Sequence, residues 1–255
     1  MTFFSKMFES ISGRRTIAGP DGYRAYAVGD VHGRIDLLDQ LLSMIEADIA
    51  ARGDCEKVIV FLGDLIDRGP ASAAVVERLR TYQLAGTTMI FLSGNHEEVM
   101  LRVLAGERGL LADWLQFGGA QCLKSYGIDH ALLPDMAESA ALDLIAAQIP
   151  KAHQTFLEGF ADTFRFGDYL FVHAGIRPGL DVAAQAPSDL RWIRGPFLDD
   201  SNDHGFMVVH GHTITTAVDE RSNRIGLDTG AYRTGILTAL AVEGTDRWFL
   251  DTASA

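Results

Sequence analysis

The sequence predicts an α/β layered fold, and three observations carry that prediction. Three times within its first hundred residues a short apolar run ends in a glycine-containing polar loop and continues as a helix-forming stretch. In each unit the polar residues gather just past the end of the apolar run, where ligands collect in such sheets. After Tyr169 the texture changes to closely spaced short apolar runs, which read as strands.

In chain order, the turn Gly19-Pro20-Asp21-Gly22 closes an N-terminal arm, residues 1–20, and residues 21–255 read as a single domain. Tyr23 to Val28 is short enough for a strand and breaks at Gly29-Asp30-Val31-His32-Gly33. Ile35, Leu38, Leu42, Ile45 and Ile49 then recur at steps of three and four, the spacing of one helix face. Val58 to Leu62 reads as a buried strand, followed by Gly63-Asp64-Leu65-Ile66-Asp67-Arg68-Gly69-Pro70 and a helix near Ser72–Tyr82. Thr88 to Leu92 is a third strand, running into Ser93-Gly94-Asn95-His96-Glu97 and another helical stretch. Residues of about 100–165 are helical in composition, with Trp114, Leu115 and Phe117 ahead of Gly118-Gly119 and an alanine-rich run at 137–149. They read as a helical insert capping the domain. The later strands are Tyr169–Ile176, Phe206–His210, Ile225–Leu227, Ile236–Val242 and Arg247–Leu250. No repeat or low-complexity linker interrupts the order.

Composition bounds the function. A chain of 255 residues, 47% hydrophobic and 22% charged, buries a substantial core. Its net charge of −12 sets up a field that repels nucleic acid and anionic membrane, so neither is an expected partner. Cys55 and Cys122 form no CxxC pair and read as reduced thiols. The arm mixes Phe3, Phe4 and Phe8 with Lys6, Glu9, Arg14 and Arg15, which is not the pattern of an export signal. No stretch has the length of a membrane span, so the expected location is the cytoplasm. Oligomeric state is not legible.

The chemistry-bearing residues all fall at strand ends: Asp30 and His32, Asp64 with Asp67 and Arg68, Asn95 and His96, His173, and His212. Singly, each has an ordinary explanation. Asp30 fits a capped turn, Asp67-Arg68 an ion-paired one, Asn95 a helix cap, and His173 a core histidine. Together, in one order and each at a strand terminus, they describe a metal site. Mixed carboxylate and imidazole donors suit a divalent ion such as manganese, iron or zinc, not calcium.

Gly29-Asp30-Val31-His32-Gly33, Gly63-Asp64 through Asp67-Arg68-Gly69, Gly94-Asn95-His96-Glu97, His173-Ala174-Gly175 and Gly211-His212-Thr213 resemble the signatures of the calcineurin-like metallophosphoesterases. More narrowly they resemble the phosphoprotein phosphatases, the serine/threonine phosphatases in their bacterial form. The resemblance runs from about residue 24 to about 240 and implies a two-sheet β-sandwich flanked by helices. It implies two divalent ions, manganese favoured, with Asp30 and His32 on the first, Asp64 bridging, and Asn95, His173 and His212 completing the second. Hydroxide bridging ions about 3.5–4 Å apart would attack phosphorus in line. His96 would protonate the leaving group, with Asp67 orienting its imidazole. Arg68 and Asn95 would bind the substrate phosphate. So would Arg194, which fits the family's Trp-x-Arg element in Trp192-Ile193-Arg194 better than Arg191, though both remain open.

His210 is expected to pack beside the site, since the ligand follows the glycine. Isoleucine at position 214, where many nuclease-like relatives have a further histidine, favours the phosphatase branch. Asp228-Thr229-Gly230 reads as structural, and His130, His153 and His204 as solvent-facing. The leading expectation is a phosphomonoesterase acting on phosphoserine or phosphothreonine in proteins, or on a small phosphoester. The alternative is a symmetrical diadenosine tetraphosphate hydrolase, a kind of enzyme that tends to lack the aspartate at Asp67 and to carry aspartate at Glu97. A scaffold that keeps the fold without the chemistry is the third reading, disfavoured because every expected ligand is present.

Overall fold

The computed structural model describes residues 16–253, so Phe3, Phe4 and Phe8 of the arm lie outside the described residues. Among the described residues ten strands run in the order β1 (Tyr23–Val28), β2 (Glu56–Phe61), β3 (Thr87–Phe91), β4 (Thr163–Phe166), β5 (Tyr169–Val172), β6 (Met207–His210), β7 (Asp219–Glu220), β8 (Arg224–Gly226), β9 (Thr238–Glu243) and β10 (Asp246–Asp251). They form two five-stranded sheets, β10-β9-β1-β2-β3 and β4-β5-β6-β8-β7. β1, β2 and β3 are parallel, as are β5, β6 and β8, whereas the hairpin β9–β10 returns antiparallel to β1.

Strand alternation explains why two sheets face each other. On β1, Ala25 and Ala27 point into the space between the sheets while Tyr26 and Val28 point out to the helices; Val58 and Val60 against Ile59 and Phe61 do the same on β2. The opposing sheet supplies Phe166, Tyr169, Phe171, Met207, Val209 and Ile225. Small alanines on the central strand therefore meet large aromatics across the gap, which lets the layers interdigitate. Every such strand is apolar on both faces, so each reads as a continuous run.

The outer face of the first sheet is covered by α1 (Ile35–Ala51), α2 (Ser72–Thr81) and α3 (Asn95–Leu104). Between α3 and β4 the chain is helical, with segments Leu111–Trp114, Ala120–Ser125, Glu138–Gln148 and Lys151–Glu158 joined by shorter turns. Trp114, Cys122, Leu123, Tyr126, Leu142, Ile145 and Leu157 from this stretch enter the same core as α1 and α2. Leu170, Val172 and Val208 on the outer face of the second sheet pack on Leu190, Ile193 and Phe197. Cys55 and Cys122 are free, and no helix among the described residues is long and apolar enough to cross a membrane.

Three details differ from the sequence reading. The helical stretch ends at Glu158 and not near 165, because Thr163–Phe166 pairs antiparallel with β5 as an edge strand. β7 is a two-residue strand, Asp219–Glu220, with no apolar alternation to announce it. His153 is buried, not solvent-facing: its Nδ1 lies 2.9 Å from the Tyr126 hydroxyl and its Nε2 2.9 Å from Glu77 Oε2. It is a satisfied core histidine. His130 and His204 are half-buried.

The two sheets touch closely where β1 ends. A Cβ on Gly29 would stand 2.6 Å from the Leu227 carbonyl oxygen, which is backbone and cannot turn aside. Gly29→Ala should therefore lower the unfolding free energy by about 1–3 kcal/mol, the usual cost of overpacking. Gly53→Ala, where no atom lies within 4 Å of the added carbon, serves as the control and should cost nothing measurable in urea unfolding. Equal losses at the two positions would contradict the close approach.

Candidate active site

Loops from both sheets converge at the carboxyl ends of the parallel strands. Asp30 and His32 follow β1, Asp64, Asp67 and Arg68 follow β2, and Asn95 and His96 open α3 after β3. His173 follows β5, His212 follows β6 and Asp228 follows β8. Apart from Arg68, all of these side chains are buried. The five non-glycine residues with left-handed φ among the described residues are His32, Asp64, Asp67, Arg68 and His212, all of them predicted site residues. Backbone held in that region costs of order 1–3 kcal/mol per residue and survives only where its surroundings enforce it.

Asp64 is the centre. Its Oδ2 lies 3.6 Å from His32 Nε2, 3.4 Å from His173 Nε2 and 3.9 Å from His96 Nε2, while its Oδ1 accepts the His96 backbone N–H at 3.0 Å. Asn95 Oδ1 lies 3.1 Å from His173 Nε2 and 2.9 Å from His212 Nδ1. The Asp30 carboxylate accepts the His212 backbone N–H at 3.0 Å through one oxygen and 3.2 Å through the other. Two sets of donor atoms, His32–Asp64–His96 and Asp64–His173–His212, each lie within 4.8 Å of one another. Asp30 thus stands one step outside the tightest groups, and His96, which was given a proton-donor role, falls inside one.

Glycines make room for this crowding. A Cβ on Gly94 would stand 2.1 Å from Asp64 Oδ1, and one on Gly211 would stand 2.0 Å from Asp30 Oδ1. Glu97, buried and read from sequence only as a mark of the family branch, accepts the backbone N–H groups of Asp64, Leu65 and Gly94 at 2.8, 2.8 and 2.9 Å. It fixes the turn that carries Asp64. The signal that could have found it is its place three residues after Gly94, the spacing of a capping box.

The electrostatics are those of many ionisable groups without solvent. Burial, with the nearby carboxylates of Asp228 and Asp64, raises the Asp30 pKa well above the usual range. Burial also presses upward on Asp64, yet the imidazoles of His173, His96 and His32 hold its carboxyl well below that range. Burial and the neighbouring Asp64 carboxylate push Glu97 up to about 7. Burial, then the neighbouring His173, takes His212 down to about 3, which leaves a neutral imidazole able to offer a lone pair. Among the described residues, His212 Nε2 and Asp228 Oδ2 are buried polar atoms with no hydrogen-bond partner.

A second cluster joins the first. Asp67 Oδ2 lies 2.6 Å from His96 Nδ1 and also accepts the Trp114 indole N–H at 2.9 Å. Burial disfavours charging His96, but the Asp64 and Asp67 carboxylates outweigh it and raise the imidazole's pKa. Trp114 was seen only as a helical aromatic, and its role depends on a contact between residues far apart in sequence. Arg68, expected on substrate, lies with Nη1 2.9 Å from His32 Nε2, and its backbone N–H donates to the Gly118 carbonyl at 3.1 Å. Arg191 is held by Asp162 and Glu98, whereas Arg194 opens onto a cavity of about 310 Å³ shared with Arg68, Asn95 and His96. His210 packs edge-on to Phe197, beside the site and not in it.

Relatives of known description share most of this chain. A bis(5'-nucleosyl)-tetraphosphatase of the asymmetrical kind (PrpE) from Halalkalibacterium halodurans is 25% identical over 84% of this chain and 87% of its own. A symmetrical bis(5'-nucleosyl)-tetraphosphatase from Methylobacillus flagellatus is 26% identical over 86% of this chain and 92% of its own. Serine/threonine-protein phosphatase 1 of Salmonella typhimurium is 26% identical over 86% and 91%. The sequence profile described as calcineurin-like phosphoesterase matches residues 23–235, a span that begins with β1 and takes in every residue of the buried cluster. The chain belongs to the calcineurin-like phosphoesterase family and is a phosphoester hydrolase.

Proposed function

We propose that this chain hydrolyses the polyphosphate bridge of bis(5'-nucleosyl) tetraphosphates. The observation that carries the reading is the convergence of Asp64, three imidazoles and Asn95 beside an arginine-lined cavity, in a chain whose relatives include tetraphosphatases matched over most of their length. This reverses the preference drawn from sequence motifs, which put phosphoprotein first. Phosphoprotein keeps two supports: the Asp67–His96 pair is present, and the Salmonella phosphatase is similar over a comparable span.

The family uses divalent metals, and the residues here fit them. The unpaired His212 Nε2, the crowded donor atoms around Asp64 and the raised Asp30 pKa all describe a site that a cation would satisfy. Asp30, His32 and Asp64 would hold one ion, and Asp64, Asn95, His173 and His212 the other; this mixed carboxylate and imidazole set admits manganese, iron or zinc. Bound there, the ions would neutralise phosphoryl charge and supply an activated water.

The chain's own groups do the rest. Asp67 fixes the His96 ring through Nδ1, leaving Nε2 to deliver a proton to the departing oxygen. Arg68 and Arg194 offer guanidinium donors to the phosphates, and Asn95 assists them. In symmetrical cleavage, water adds to one of the two central phosphorus atoms and the bridging P–O bond breaks. The proton goes to the departing oxygen, and two nucleoside diphosphates result.

Chromatography of the products from diadenosine tetraphosphate with manganese tests the reading. ADP alone is expected; ATP with AMP would make the cleavage asymmetrical. Phosphate released from a phosphoserine peptide, with the dinucleotide untouched, would return the chain to the phosphoprotein reading. For the acid, His96→Asn should slow hydrolysis of an alkyl phosphate by about 10²–10⁴-fold while the manganese content stays at wild-type level, and Asp64→Asn should lose both. Metal loss in His96→Asn would make that residue a ligand. Trp114→Phe, which removes one donor to Asp67, should slow an alkyl phosphate more than p-nitrophenyl phosphate, because only the poor leaving group needs the proton. Equal losses on the two substrates would detach Trp114 from the acid's support.

A further inference from the structure

We infer that Phe117 and Trp192 form a stacking site for one nucleobase of the substrate, an inference that rests on the nucleotide reading above. Phe117 is 66% exposed and Trp192 is 42% exposed, and an exposed aromatic gains meaning where it lines a cavity with other functional groups. Of the six large hydrophobic residues exposed among the described residues, these two alone line the cavity that contains His96, Arg68 and Arg194. Val99 and Leu110 add apolar wall to the same cavity. A largely apolar slot lined by two aromatic side chains, shared with Arg68, Arg194 and the proposed proton donor, matches a base attached through its sugar to a phosphate chain. At about 310 Å³ it is at the small end of ligand pockets and suits one nucleoside, not two.

Both aromatics are fixed relative to the phosphate-binding groups. Phe117 rides on the kinked turn Leu115–Gly119, where the helical path breaks at Gly118. The next residue, Gly118, has φ of 118°, accepts the Arg68 backbone N–H and sits so close that a Cβ would stand 2.6 Å from that nitrogen. The turn that exposes Phe117 is therefore the same turn that holds Arg68. Trp192 ends the helix Pro187–Trp192 two residues before Arg194, its indole N–H donating to Glu98 Oε2 at 3.3 Å and its ring lying edge-on 6.5 Å from that of His212. Stacking on aromatic faces tolerates any base, so the site would select for a nucleotide without selecting which one.

The test is calorimetric binding of ADP and of pyrophosphate to the whole chain supplied with manganese. ADP is expected to bind more tightly than pyrophosphate. Phe117→Ala and Trp192→Ala should each weaken ADP binding by about 5- to 150-fold, the range for losing one stacked base, and should narrow the gap to pyrophosphate. Phe117→Tyr should restore it. Equal binding of the two ligands by the wild type, no measurable ADP binding, or equal losses on both ligands would overturn the inference. So would a dependence on Phe117 seen with a phosphopeptide and not with ADP. Because binding is read apart from turnover, tight Phe117-dependent ADP binding without dinucleotide cleavage would sink the proposed reaction and leave the pocket standing.

Discussion

Asp64 is a buried carboxylate, and the site is built around the need to make that burial tolerable. A charge removed from water must find partners or be neutralised. Here the partners are three imidazoles that reach Asp64 from the ends of three different strands, together with the His96 backbone N–H. Glu97 secures the turn from behind by taking the amides of Asp64, Leu65 and Gly94. The left-handed backbone at His32, Asp64 and His212 is a consequence of bringing such groups together in a small volume. The absence of a side chain at Gly94 and Gly211 is another, since a methyl at either would occupy a carboxylate oxygen's space. The strain is concentrated where ligands gather, and the two packed sheets hold it in place.

The helices between β3 and β4 belong to this arrangement as structural members. Trp114 reaches the Asp67 oxygen that also meets His96, and Gly118 pins the Arg68 backbone. Gly119 leaves room for the Trp114 indole, against which a Cβ would stand 2.6 Å away. Single contacts thus link the helical stretch to the proposed acid and to a proposed phosphate donor. Substitutions in that stretch can reach the chemistry without touching a ligand.

Much of this was legible in the sequence because its causes are local. β1, β2 and β3 are continuous apolar runs ended by glycine, and the polar residues beyond each run are the ones that converge. What escaped depends on partners far away in sequence. β4 is four residues whose identity as a strand comes from pairing with β5. His153 looks like a surface residue until Glu77, 76 positions earlier, closes on it. Arg68 was expected on the substrate phosphate, and in the folded chain its guanidinium also meets His32 Nε2. That contact could be foreseen only by knowing that the turns after β1 and β2 touch. The Trp-x-Arg spacing favoured Arg194 over Arg191 without deciding between them; in the folded chain the carboxylates of Asp162 and Glu98, on other elements, hold Arg191 while Arg194 lines the cavity.

The charge balance bears on how the proposed polyphosphate substrate would be captured. With a net charge of −12 the body of the protein opposes an approaching polyanion, so long-range steering works against binding. At physiological ionic strength that repulsion is screened beyond about 8 Å, and what acts inside this distance is local. Arg68 and Arg194 line the same cavity as the proposed acid, and Arg102 on that cavity is already committed to Glu107 and Glu98. Two arginines would not balance the four phosphates of the proposed substrate, so cations held by the buried carboxylates would have to supply the remaining positive charge. The same acidic residues that make the chain repel polyanions as a whole are, at Asp30 and Asp64, what would let it hold one.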